Sequence, residues 1–194
     1  MKTVYFQFGL YIVRKFTSRE MTVLTVLKTI LVSTYYSRIY GKARSQGLSY
    51  DISADFQTYH AGISEFIFEG EVTESKALQL FTLITSQLHE VAEGGITEQE
   101  LADAKQLLLG RHQLEYSTGV SISDWYSGDY FENDEIDLMQ NYPVQLHEVT
   151  LAVITKLANE LLASEMWAFG AVGSFREEKM TTYYDIFAKL MERR

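Results

Sequence analysis

Between Val4 and Ile12 every even-numbered residue is apolar: Val4, Phe6, Phe8, Leu10 and Ile12 share one side of an extended backbone, with Tyr5, Gln7, Gly9 and Tyr11 on the other. A strand with one apolar face must lay that face against a second layer. The rest of the chain supplies the material for one. Thr17-Ser18-Arg19-Glu20 is a capping box, in which a threonine hydroxyl and a glutamate three residues on satisfy each other's backbone N–H groups, and it predicts a helix to about Val32. A further helix is expected from Tyr35 to Ser45, with Tyr36, Ile39, Tyr40 and Ala43 at helical spacing and Gly47 as its stop.

Tyr50 to His60 alternates again, with Tyr50, Ile52, Ala54 and Phe56 together. Ala61-Gly62 can turn, and Ile63 to Gly70 returns as a partner strand. Ala77, Phe81, Ile84, Leu88 and Val91 then form the stripe of an amphipathic helix that ends at Gly94-Gly95. A second capping box, Thr97 with Glu100, opens a long helix through Leu101, Ala104 and Leu108. That helix is expected to break between Ser117 and Ser123 and to continue, weakly patterned, from Asp124 to Met139. Pro143 is expected to end the helical region, with a short extended piece before Thr150. Thr150 caps a helix from Leu151 to Leu162. Met166 to Val172 reads as a last strand, and Arg176 to Arg194 as a terminal helix with Met180, Tyr183, Tyr184, Phe187, Leu190 and Met191 inward. Hairpin strands between helices predict an α+β fold, two layers with a largely antiparallel sheet and helices packed on one face.

A chain of 194 residues with 46% hydrophobic, 22% charged and one proline is expected to form a single domain over residues 1–194, folded throughout. Its net charge of −9 argues against nucleic acid, whose binders gather cations on one face. No stretch approaches the roughly 20 apolar residues of a membrane span, and the N-terminus has no cleavage pattern of a leader. A soluble chain is expected, with the cytoplasm the favoured location. The absence of cysteine removes disulfides and thiolate chemistry and leaves the compartment otherwise open.

The search for chemistry is mostly negative. The four histidines, His60, His89, His112 and His147, never share the spacing that puts two imidazoles on one helix face around zinc. No Gly-x-Ser-x-Gly elbow and no phosphate loop occurs. The acidic pairs Asp134-Glu135 and Glu98 with Glu100 stand at a loop and a helix start, where carboxylates favour solvent or the helix dipole. One segment carries more information. Arg38, Lys42 and Arg44 sit on a helix that ends at Gly47 and feeds a strand opening at Tyr50, so a guanidinium and a phenol can converge at one edge of the sheet. Such donors suit peptide carbonyls or a developing oxyanion. On the residues alone, a solvated helix end and an ordinary strand tyrosine are the favoured reading.

The same segment, Ser37-Arg38-Ile39-Tyr40, Arg44 and Gly47-Leu48-Ser49-Tyr50, resembles the C-terminal-type repeat of the pitrilysin/insulinase-type zinc metallopeptidases, which include the mitochondrial processing peptidases. Further matches in order are Gly95 to Leu101, Ala104-Lys105, Leu108-Leu109-Gly110, Val149-Thr150 with Ile154 and Ala158, and Val172-Gly173. The resemblance implies a non-catalytic half that forms part of a peptide-binding chamber and supports proteolysis by a zinc-bearing N-terminal half. It implies Arg44 and Tyr50 as substrate-binding residues, no cofactor on this domain, and zinc on the partner. The stretch is one residue shorter than the family's pattern, so counting from the glycine places Ala43 at the Arg position. The alternative is a catalytically inactive structural or peptide-binding subunit of a larger complex. A half-enzyme with an open sheet edge is also expected to be capable of forming a homo-oligomer.

Overall fold

The structure, a computed structural model, describes residues 2–59, 62–116, 118–133, 136 and 138–192. His60, Ala61, Ser117, the Asp134-Glu135 pair and Arg194 lie outside the described residues. The elements run β1 (Thr3–Ile12), α1 (Ser18–Val32), α2 (Tyr40–Ser45), β2 (Asp51–Thr58), β3 (Ser64–Thr73), α3 (Ala77–Ala92), α4 (Glu98–Glu115), α5 (Gly119–Asn133), α6 (Tyr142–Glu148), α7 (Leu151–Leu162), β4 (Met166–Gly173) and α8 (Glu177–Glu192). A 3-10 turn, Met139–Asn141, leads into α6.

Four strands form one antiparallel sheet in the order β2-β3-β1-β4. The alternation of β1 becomes two faces. Val4, Phe6, Phe8 and Leu10 are buried, while Tyr5 is 58% exposed. The register carries this division across the sheet, with Tyr5 opposite both Glu71 and Val172, and Glu71 opposite Asp51, so the open face reads Asp51, Glu71, Tyr5, Val172 along one row. The covered face packs on helices through aromatic contacts: Phe8 stacks on Phe187 of α8 at 4.4 Å, and Phe6 meets Phe81 of α3 edge-on at 4.9 Å. The expected α+β architecture is therefore present, and the expected stripes of α3 and α4 are buried residue for residue. Of the residues expected inward on α8, Tyr183, Phe187, Leu190 and Met191 are buried, whereas Tyr184 is 46% exposed.

Three expectations need correction. Helix α2 covers only Tyr40–Ser45, and Tyr36 is 99% exposed, because residues 34–39 fold back on the end of α1 instead of continuing a helix. The helix expected from Asp124 begins at Gly119 and stops at Asn133. Pro143 starts a helix rather than ending one. It stands in the first turn of α6, where its missing N–H has no helical partner to lose. Helix α6 fills the place of the expected extended piece, and its C-cap Val149 returns to an extended backbone before Thr150.

Candidate functional site

The candidate site is built by the fold-back after α1. The Arg38 and Ile39 amides donate to the carbonyls of Ile30 and Leu31 at 2.9 and 2.8 Å, so residues 38 and 39 lie alongside the last turn of α1. The Ser37 hydroxyl accepts from the Thr34 amide at 2.7 Å and donates to the Thr29 carbonyl at 3.2 Å, closing the turn from inside. Gly41 allows the approach: a Cβ there would stand 2.4 Å from the Tyr35 carbonyl oxygen.

At the other end, Gly47 takes φ 63°, a left-handed conformation that reverses the chain, and the Leu48 amide donates to the Ala43 carbonyl at 2.7 Å. Buried Ser49 then donates to the Glu71 carbonyl at 2.6 Å, fixing the entry of β2 beside β3. Tyr50 is thereby held at the start of an edge strand with 68% of its surface open.

Between these fixed points Arg44 and Tyr50 come together. The Arg44 guanidinium carbon lies 5.0 Å from the centre of the Tyr50 ring and 4.9 Å from that of Tyr35, both within cation–π range. Its Nη1 donates to the Tyr40 hydroxyl at 3.4 Å, a long hydrogen bond. Ala43 is fully buried in the core and carries no polar side-chain group, so Arg44 is the residue whose charge reaches Tyr50. Tyr35 went unrecognised in the sequence, where it looked like a helix start. The signal available was density, with Tyr35, Tyr36, Tyr40 and Tyr50 clustered about one arginine.

Arg38, the arginine of the Ser-Arg-x-Tyr signature, has a different task. It is only 8% exposed and donates from Nε and Nη2 to the two Glu100 oxygens at 2.6 and 2.7 Å. Nη2 also donates to the Gly95 carbonyl, and Nη1 lies 3.3 Å from Glu90 without hydrogen-bond geometry. Glu100 is at the same time the glutamate of the α4 capping box. The Arg38 hydrogen bonds hold its carboxyl down at about 2, against the opposing effect of burial. Arg38 thus joins the fold-back to the start of α4 and is not free to meet a ligand.

The histidines are dispersed. His89 pairs with Glu93 at 3.2 Å, His112 packs among Tyr116, Trp125 and Tyr142, and the His147 carbonyl accepts from Lys105. Among the described residues no group of three or more His, Cys, Asp or Glu side chains could hold a metal ion. The described residues therefore do not fit a zinc site. Nor is any helix among them long and apolar enough to cross a membrane.

Comparison with known proteins agrees with this picture. The fold is shared with a protease from Helicobacter pylori (16% identity, TM-score 0.75, 87% of this chain and 41% of that one). It is shared with an inactive peptidase domain from Bordetella parapertussis (16% identity, TM-score 0.71, 90% of this chain and 95% of that one). It also matches a peptidase M16 inactive domain from Pseudomonas fluorescens (16% identity, TM-score 0.75, 88% of this chain and 41% of that one). The chain thus spans less than half the length of the Helicobacter and Pseudomonas chains. No curated protein matches. Residues 3–108, more than half of the chain, match the family described as the peptidase M16 inactive domain, and they contain both the fold-back and the first three strands. On that match, and with the motif order expected of a C-terminal-type repeat, the chain belongs to the family of peptidase M16 inactive domains.

Proposed function

We propose that this chain, as one domain over residues 1–194, is the non-catalytic half of a zinc-dependent peptidase and forms part of its peptide-binding chamber. Zinc and the residues that activate water belong, on this reading, to an N-terminal-type half in the same polypeptide or on another subunit. The observation that carries the reading is the meeting of Arg44 with an exposed Tyr50 at the mouth of an edge strand. A phenol hydroxyl and a guanidinium held there supply donors for a peptide carbonyl, or for the oxyanion that develops when it is attacked. The carbonyl accepts and both side chains donate, so neither has to give up a proton.

The test is reconstitution. Mixed with a zinc-bearing half of the same family from the same source, this chain should restore peptide cleavage that neither part shows alone. Tyr50→Phe should then lower kcat by about a hundredfold, the usual effect of losing one oxyanion donor. Cleavage by this chain alone, with stoichiometric zinc, would refute the proposal. Reconstituted cleavage indifferent to both Tyr50→Phe and Arg44→Ala would leave the chain as a structural subunit.

A further inference from the structure

The Arg44 cluster has a property that the carbonyl-binding role does not require. The chain holds 26 acidic against 17 basic residues, and two of its arginines are each gripped by a carboxylate. Arg14 grips both oxygens of Glu20 from its two terminal nitrogens, and Arg38 does the same to Glu100 from Nε and Nη2. Arg44, by contrast, has no carboxylate within 4.0 Å among the described residues. Among the described residues its only side-chain hydrogen bond is the long one to Tyr40, and two tyrosine rings flank its guanidinium. The rings restrict the arginine without using its N–H donors. The two rings narrow the rotamers open to Arg44 before any ligand arrives, which favours a ligand that matches the fork.

We propose that the cluster of Tyr35, Arg44 and Tyr50 is a carboxylate-binding site in which Arg44 makes the contact and Tyr35 positions it; this rests on the peptide-chamber reading above. A planar guanidinium edge matches a carboxylate with two parallel hydrogen bonds, whereas a single peptide carbonyl can use only part of it. Hydrolysis of a peptide bond creates one new carboxylate and one amine, so a chamber that cuts peptides generates the ligand such a site would hold. Tyr35 also lines a groove of about 560 Å³ that does not include Arg44 or Tyr50; Ile30, Ala104 and Leu107 give it apolar surface, and Glu100 and Asp103 give it an acidic side that a ligand's carboxylate would avoid, leaving the Arg44 end as the place for that charge. The carboxylate can come from a peptide's C-terminus or from an acidic side chain, and the two are separable by experiment.

The isotope-labelled chain is titrated with an acetylated Phe-Ala-Leu peptide bearing a free C-terminus, with its C-terminal amide, and with the amide carrying Glu in place of Ala. The Arg44 Nε–H signal and the Tyr50 ring signals are followed. The free acid should bind about tenfold or more tightly than the amide, as a charge-assisted fork contact would give. Recovery of that affinity by the Glu-containing amide assigns the site to acidic side chains, and failure to recover it assigns the site to C-termini. Arg44→Lys keeps the charge but loses the fork and should abolish most of the preference. Tyr35→Leu should reduce the acid-to-amide ratio while Tyr35→Phe preserves it, a pattern that a merely structural Tyr35 would not produce. Equal binding of acid and amide with movement at Tyr50 overturns the carboxylate proposal and leaves the peptide-chamber reading standing. No movement at Arg44 or Tyr50 with any of the three overturns both.

Discussion

The Arg44 guanidinium rests 5.0 Å from the Tyr50 ring, tying the last turn of α2 to the first residue before β2. Tyr50 is open to solvent, whereas Arg44 is half-buried. Tyr50→Leu should shift stability by no more than about 0.5 kcal/mol, as expected of a surface change outside the core, while removing peptide binding at the cluster. Thermal melting and peptide titration on one sample would check this, and a large fall in melting temperature would show Tyr50 to be a packing residue instead.

Gly41 sets the position of Tyr35. A methyl group there would meet the Tyr35 carbonyl oxygen at 2.4 Å, a backbone atom that cannot turn aside. Alanine ordinarily favours a helix over glycine by up to about 1 kcal/mol, but overpacking of this kind costs about 1–3 kcal/mol, so the clash wins. Gly41→Ala should therefore lower the denaturation midpoint and, by moving residues 34–39, weaken carboxylate selectivity. Unchanged selectivity in a destabilised variant would show that Tyr35 keeps its place without Gly41.

Arg38 supports the same region from the opposite side. Arg38→Ala removes a buried cation and leaves Glu100 without its main partner. The loss should be about 3 kcal/mol, toward the lower end for a broken buried ion pair because Glu100 retains some solvent contact. Replacing both residues with apolar ones should recover part of this loss in urea unfolding.

The same pair fixes an acid limb. Glu100 is held at about 2 by Arg38, below the ordinary 4.5, so the folded state binds its proton less readily than the unfolded chain does. Stability from this group is complete above about 4.5 and is lost as pH falls towards 2. Glu20 acts in the same direction: burial would raise its carboxyl, but hydrogen bonds from Arg14 and Thr17 outweigh burial and lower it. Urea midpoints should therefore decline steeply below pH 4.5, and Glu100→Gln should flatten part of that decline. An unchanged slope in Glu100→Gln would remove the pair from the acid response.

Local chemistry made the scaffold legible. The period of β1, the Thr17 and Thr97 capping boxes and the α3 stripe each act within a few residues, and each appears where expected. The Arg44–Tyr50 approach was legible too, because a glycine turn joins two neighbouring elements. What could not be read was long-range competition. Residues 35–39 have a helical pattern, yet hydrogen bonds to Ile30 and Leu31 hold them in a fold-back. The partner of Arg38 stands 62 residues away, and no local spacing marks it. Pro143 looked like a stop because a proline ends a helix and begins one with equal ease.

Tyr183 offers a test of the core. Its ring is 2% exposed against Phe81 and Phe175, yet its hydroxyl is buried with no hydrogen-bond partner among the described residues. Burial accordingly raises the phenol's pKa. A buried hydroxyl without a partner costs free energy that a phenylalanine would not incur. Tyr183→Phe keeps the edge-to-face contact with Phe81 at 5.1 Å and removes only the oxygen. It should raise stability by about 1 kcal/mol, which for a domain of this size corresponds to roughly 2–4 °C in melting temperature. A fall in melting temperature would instead reveal an ordered water serving the hydroxyl, since only a satisfied oxygen is costly to delete.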